Sequence, residues 1–201
     1  MVMKGLEDVN THAYGWGMEQ TPRLTREDWL RAGFHALSDG GPSTLKAEPL
    51  ARRMGTTKGS FYWHFPDVPG FQAAMLDHWE QRAFAEIVTY LEAEPSLPKR
   101  LRRLGQIAAT LPGAEFGGVA IEAAIRAWAR SDDIVNAAVQ RIDARRLAYL
   151  RELLDGIGLS NPDFARIIYA GLIGLEDLSS RDGQPIESPL ETLIDLILAL
   201  E

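Results

Sequence analysis

The run Leu50-Ala51-Arg52-Arg53-Met54-Gly55-Thr56-Thr57-Lys58-Gly59-Ser60-Phe61-Tyr62-Trp63-His64-Phe65 constrains the fold more than any other part of the chain. It reads as two short helices around a glycine turn, the layout of a helix-turn-helix. Leu50, Ala51 and Met54 give the first helix its packing side, Gly55 supplies the left-handed residue that turns the chain, and Thr56 or Thr57 can cap the second helix. That second helix displays small, hydroxyl, aromatic and basic groups. Such a set suits a helix that enters a groove of nucleic acid.

Charge is distributed to match. The net charge of −7 argues against a protein that coats nucleic acid through bulk attraction. From Thr21 to Pro66, however, seven Lys/Arg stand against four acids, whereas from Asp67 onward thirteen stand against twenty-one. A small basic head on a larger acidic body confines phosphate attraction to one surface. At 201 residues and 46% hydrophobic, the chain can bury a sizeable core. It has no cysteine, which removes disulfides, cysteine zinc sites and thiol nucleophiles and fits a reducing cytosol. No apolar run approaches about 18 residues, and the N-terminus lacks a basic-then-apolar signal pattern. The expectation is a soluble, cytoplasmic protein with no membrane partner.

Helical periodicity organises the rest. Residues 1–22 show no apolar period and read as a flexible extension that carries His12, Tyr14 and Trp16. Thr25 caps a first helix in a capping box with Asp28; its stripe is Trp29, Ala32, Gly33, Ala36 and Leu37, and Asp39-Gly40-Gly41-Pro42 stops it at about Leu37. Glu48-Pro49 opens the second helix. Asp67 caps a long fourth helix with the stripe Phe71, Met75, Trp79, Ala83, Ile87 and Tyr90 or Leu91. Further helices are expected at about 97–110, 117–130, 133–157, 163–179 and 189–200, with breaks at prolines and glycines between them. No segment alternates as a strand does, so the fold class is all-α. The expected organisation is a three-helix head over residues 23–66, joined by a long helix to a helical body over 67–201.

The segment from Thr57 to Pro66, with Leu50-Ala51-Arg52-Arg53-Met54-Gly55 before it and a first helix ending in Gly40-Gly41, closely resembles the DNA-binding domain of TetR-family transcriptional regulators. The match is detailed over about 24–76. It is looser in the body, where Ala124-Ile125-Arg126-Ala127-Trp128-Ala129-Arg130 is similar to the family's variable C-terminal part. The resemblance implies a homodimeric repressor whose two heads read a palindromic double-stranded operator and which a small molecule releases. The candidate DNA-contacting residues are Lys46, Thr56, Thr57, Lys58, Gly59, Ser60, Tyr62, Trp63 and His64. Lys58 and Ser60 are read as base readers, Tyr62 and His64 as phosphate clamps, and Lys46 as a further phosphate contact. The chain departs from the pattern at Val68, where many members place Lys or Arg.

In the body, aromatic walls with a few polar groups are the expected lining of a ligand pocket. The candidates are Trp79, Phe84, Phe116, Glu122, Arg126, Trp128 and Tyr169; Glu122 and Arg126 are four apart and can pair with each other. The last two helices are apolar around much of their circumference, with Ala170, Gly171 and Gly174 allowing close approach, so they are expected to form the homodimer interface. The four histidines lack metal-ligand spacing and Gly113 to Gly118 forms no phosphate-binding loop, so no metal, cofactor or catalytic residue is expected and the remaining acids read as solvated helix faces. A helical ligand-binding or interaction protein without operator binding is the alternative reading, with an enzyme behind it.

Overall fold

The computed structural model describes residues 24–110 and 119–201; the expected N-terminal extension and Phe116 lie outside them. Among the described residues there are helices and no strands. α1 (Arg26–Gly40) starts at the capping box: the Thr25 hydroxyl accepts from the Asp28 amide at 3.2 Å, and the Asp28 carboxylate accepts from the Thr25 amide at 2.8 Å. It runs past Leu37 because the glycine that ends it is Gly41, at φ 71°, whose amide returns to the Leu37 carbonyl. A tight turn at Pro42–Thr44 follows, pinned by the Thr44 hydroxyl donating to the Ala36 carbonyl at 2.8 Å.

α2 (Ala47–Arg53) and α3 (Lys58–Tyr62) meet across Gly55, whose φ of 63° only glycine adopts without strain. Thr57 caps α3 by accepting from the Ser60 amide. Asp67 caps α4 (Val68–Glu80) by accepting from the Gly70 amide at 2.6 Å. The expected uninterrupted fourth helix is instead broken by a π-helical turn at Gln81–Ala85 before α5 (Glu86–Leu91). Across that wider turn Ala83 still packs against the first core and Leu91 is fully buried, while Tyr90 is exposed. α6 (Leu97–Thr110), α7 (Val119–Ala129), α8 (Asp133–Ile157), α9 (Pro162–Asp182) and α10 (Glu187–Leu198) complete the body.

Two hydrophobic cores hold these helices. The first joins Trp29, Phe34, Phe61, Phe65 and Phe71 of the head and α4 to Ile121, Ile125, Trp128, Val135, Ala138 and Ile142 of α7 and α8. The N-terminal helices therefore share their core with part of the body. The second gathers Leu101, Leu150, Leu154, Ile168, Tyr169, Leu190, Ile194 and Ile197 from α6, α8, α9 and α10.

Most of the apolar surplus expected on the last two helices is spent here. Ile168, Tyr169, Leu190, Ile194, Ile197 and Leu198 are buried within the chain, and a side chain at Gly171 would strike Leu193 of α10, so that glycine serves the packing of α9 on α10. What stays exposed is narrower: Ile167 and Leu178 on α9, Leu196 on α10 and Leu200 just beyond it.

α1 packs closely on α4 at Gly33. A Cβ at Gly33 would lie 2.5 Å from the Phe71 ring and 2.8 Å from the Met75 sulfur. Gly33→Val is expected to cost about 1–3 kcal/mol through overpacking. Chemical denaturation checks this; an unchanged midpoint would mean that α1 and α4 are not locked together here.

Candidate nucleic-acid interface and body cavity

The second helix of the turn motif is held by one anchor. Phe61 is fully buried, with its ring edge-on to Trp29 at 5.4 Å and to Phe71 at 5.3 Å. Its neighbours therefore point outward: Lys58, Gly59, Tyr62 and Trp63 are exposed, and Ser60 and His64 are half-buried. Trp63 is 79% exposed, the largest outward apolar surface in the head. Lys46, Lys58, Tyr62 and Val68 line one shallow recess, and the Lys58 ammonium lies 5.8 Å from the centre of the Tyr62 ring. Thr56 is half-buried beside the turn, while Thr57 uses its hydroxyl as the helix cap. Val68 packs against the first core.

A cavity of about 380 Å³ opens in the body, within the usual range for small-molecule sites. It lies on the seam between the two cores. Phe34, Trp79 and Ile121 face it from the first, and Leu101, Leu150, Ile168, Leu190 and Ile194 from the second. Of the expected lining residues, Trp79, Phe84, Glu122 and Tyr169 reach it. Trp128 does not line it, because the α7 face that carries Trp128 packs into the first core. Arg126 is absent from the lining as well, but it braces the residues that are there.

That bracing is an ionic network. Glu122 accepts from Trp79 Nε1 at 3.2 Å, from Arg126 Nε at 3.0 Å and from Arg146 Nη1 at 2.9 Å. Arg126 grips Asp143 with both terminal nitrogens at 2.6 and 3.2 Å, and the Tyr169 hydroxyl donates to Asp143 at 2.7 Å. Arg146 also donates to the Ala83 carbonyl in the π turn, at 3.2 Å from Nη2. α4, the π turn, α7, α8 and α9 are thus tied at one point. Burial opposes ionisation of Asp143, but its hydrogen bonds to Arg126 and Tyr169 and the two guanidinium charges hold its carboxyl below the usual range. Burial, together with donation to Asp143, pushes the Tyr169 hydroxyl up to about 12 against the pull of both guanidiniums.

Asp143 and Glu176 correct the expectation that the body's remaining acids are solvated helix faces. Glu176 was missed. It lies on the cavity-facing side of α9, one turn beyond Leu172 and two beyond Tyr169, so a carboxylate on the apolar face of a helix was the signal available. Burial, then repulsion from Glu122, pushes its carboxyl up to about 7 despite attraction to Arg146 and Arg126.

Comparison with solved structures decides the fold. A transcriptional regulator from Rhodococcus sp. Rha1 superposes with a TM-score of 0.72 over 88% of this chain and 95% of its own, at 19% identity. A TetR-family transcriptional regulator from Streptomyces coelicolor gives 0.70 over 87% and 88%, at 16% identity. The chain has the fold of TetR-family transcriptional regulators. SmeT, the repressor of the Stenotrophomonas maltophilia multidrug efflux pump SmeDEF, shares this TetR-family fold at a TM-score of 0.65, with 17% identity over 89% of this chain and 90% of its own. No protein-family model matches the sequence, and none of the curated proteins matches it. Among the described residues no helix is long and apolar enough to cross a membrane, and no group of acids and histidines could hold a metal ion.

Glu176 gives this TetR-family fold a pH signature. Its folded pKa of about 7 lies above the ordinary value of 4.5, so the folded state keeps the proton longer than the unfolded chain. The stability this contributes is present below about pH 4.5 and is lost as pH rises through about 7. Glu176→Gln removes the cost of the ionised group and, after discounting for partial exposure, is expected to stabilise the protein by about 1–2 kcal/mol more at pH 8 than at pH 5. Thermal melts at the two pH values read this difference, and an equal effect at both would rule out a perturbed Glu176.

Proposed function

We propose that this protein is a DNA-binding transcriptional regulator, not an enzyme, that acts as a dimeric repressor and leaves its operator when a small molecule fills the body cavity. One observation carries the reading: a helix anchored by a single buried phenylalanine turns Lys58, Tyr62 and Trp63 outward together. Residues 23–66 form the reading head and 67–201 the ligand-binding and dimerisation body. Lys58 and Ser60 read base edges in the major groove, with Gly59 letting the backbone come close. Tyr62, Trp63 and His64 hold the phosphate backbone, with Lys46 and the α3 start at Thr56 and Thr57 beside them. The repressor role of SmeT, which shares the fold, supports repression here.

The dimer forms through α9 and α10. Ile167, Gly174 and Leu178 lie along one outer face of α9, and Leu196 and Leu200 continue an apolar surface at α10. Gly174 faces open space, so a second helix can approach its backbone. This surface belongs to the second core, while the head belongs to the first. Ligand at the seam therefore changes how the head sits relative to the partner, and heads that no longer match successive major grooves release the DNA. A coupling of about 1–3 kcal/mol suffices for a roughly 5–150-fold loss of operator affinity.

Two measurements test this reading. Selection from random duplex DNA should enrich a palindrome with half-sites about one helical turn apart, roughly 34 Å. On that site Tyr62→Ala should weaken binding to all sequences, and Lys58→Ala should also relax base preference, each by about 1–3 kcal/mol. No enriched sequence, or unchanged binding in both variants, would refute operator binding. Sedimentation at micromolar concentration should give a dimer that Leu196→Asp dissociates; a monomeric parent protein would remove the proposed interface.

A further inference from the structure

Four charged side chains line the cavity: Glu122 and Glu176 with Arg82 and Arg146. Arg126 and Asp143 stand behind them in the ionic network. Glu122 and Asp143 are saturated by the Arg126 and Arg146 guanidiniums, Trp79 and Tyr169. Glu176 makes no hydrogen bond or ion pair among the described residues; its neighbours act on it only through space. Arg82 has a partner of its own and is not among the charges that set the acidity of Glu176.

The remaining wall is mostly apolar, with His78, Tyr90 and Tyr149 as its other polar residues. Leu101, Leu104, Ala108, Leu190 and Ile194 close one side. Trp79, whose Nε1 donates to Glu122, and Tyr169, whose hydroxyl donates to Asp143, bring aromatic rings to the charged end. An anionic headgroup would meet Glu176 and Glu122 while both network guanidiniums are already engaged. Above about pH 7, where Glu176 is ionised, an uncharged ligand would leave its carboxylate uncompensated in a half-buried site.

We propose that the cavity takes an amphipathic organic cation, with its hydrocarbon part against the aliphatic wall and its ammonium against the Glu176 carboxylate and the neighbouring aromatic rings. A bulky, weakly hydrated ammonium suits this end because it loses little hydration on entry and gains from both the carboxylate and the ring faces. The inference rests on the reading of the cavity as the effector site.

Isothermal titration of the full chain at pH 8, without DNA, compares decyltrimethylammonium, decanoate and decanol. Decyltrimethylammonium is expected to bind at least about tenfold more tightly than the other two, a preference that Glu176→Gln abolishes and Glu176→Asp retains. Circular dichroism of both variants verifies that they fold. Equal or tighter binding of decanoate or decanol, a preference that persists in folded Glu176→Gln, or no binding of any probe would overturn the assignment. The operator selection is a separate readout. Cation binding by a protein that enriches no DNA would overturn the regulator reading and leave the ligand class standing, whereas operator binding without the cation preference would overturn the ligand class alone.

Discussion

The structure depends on a hydrophobic core that does not stop where the head ends. Trp29, Phe34, Phe61 and Phe71 pack in one continuous cluster with Ile125, Trp128, Val135 and Ile142. Burying a side chain of this size contributes about 1.5–3 kcal/mol, so the head cannot shift freely on α7 and α8 without exposing apolar surface. Head, α4, α7 and part of α8 therefore behave as one packed unit. The second core, with α6, α9 and α10, is the other, and the cavity lies between them.

The ionic network makes that seam selective in what it allows to move. Glu122 and Arg146 join α7, α8, α4 and the π turn, while Asp143 and Tyr169 extend the same network to α9. In a half-buried setting, losing one partner of such a pair costs more than forming it gains. The π turn is part of this arrangement, because it presents the Ala83 carbonyl to Arg146 where α4 stops and α5 begins.

Local signals were the most legible in the sequence. The Thr25 capping box, the positive φ of Gly55 and the Asp67 cap each depend on residues within a few positions of one another, and each formed where the residue types predicted. The long helices followed from their period, and α8 matched its expected bounds. Long-range facts were less legible. That Trp128 faces the first core and Trp79 the cavity depends on how α7 rolls against α1 and α8, which periodicity along one helix does not encode. The apolar breadth of α9 and α10 read as an interface, yet most of it serves packing against each other, against α8 and against α6, which lies far away in sequence. Glu176 looked like one more surface acid until α9 was placed over the cavity.

The central claim is that filling the seam changes the position of the heads. The chain has no cysteine, so Ser43→Cys places one spin label on the exposed edge of each head. Pulsed electron resonance then measures the distance between the two labels in the dimer, with the cavity open and with Ala108→Trp growing into it from α6. The account predicts a shifted distance distribution together with weaker operator binding in the filled variant. An unchanged distance in a folded, cavity-filled dimer would contradict it.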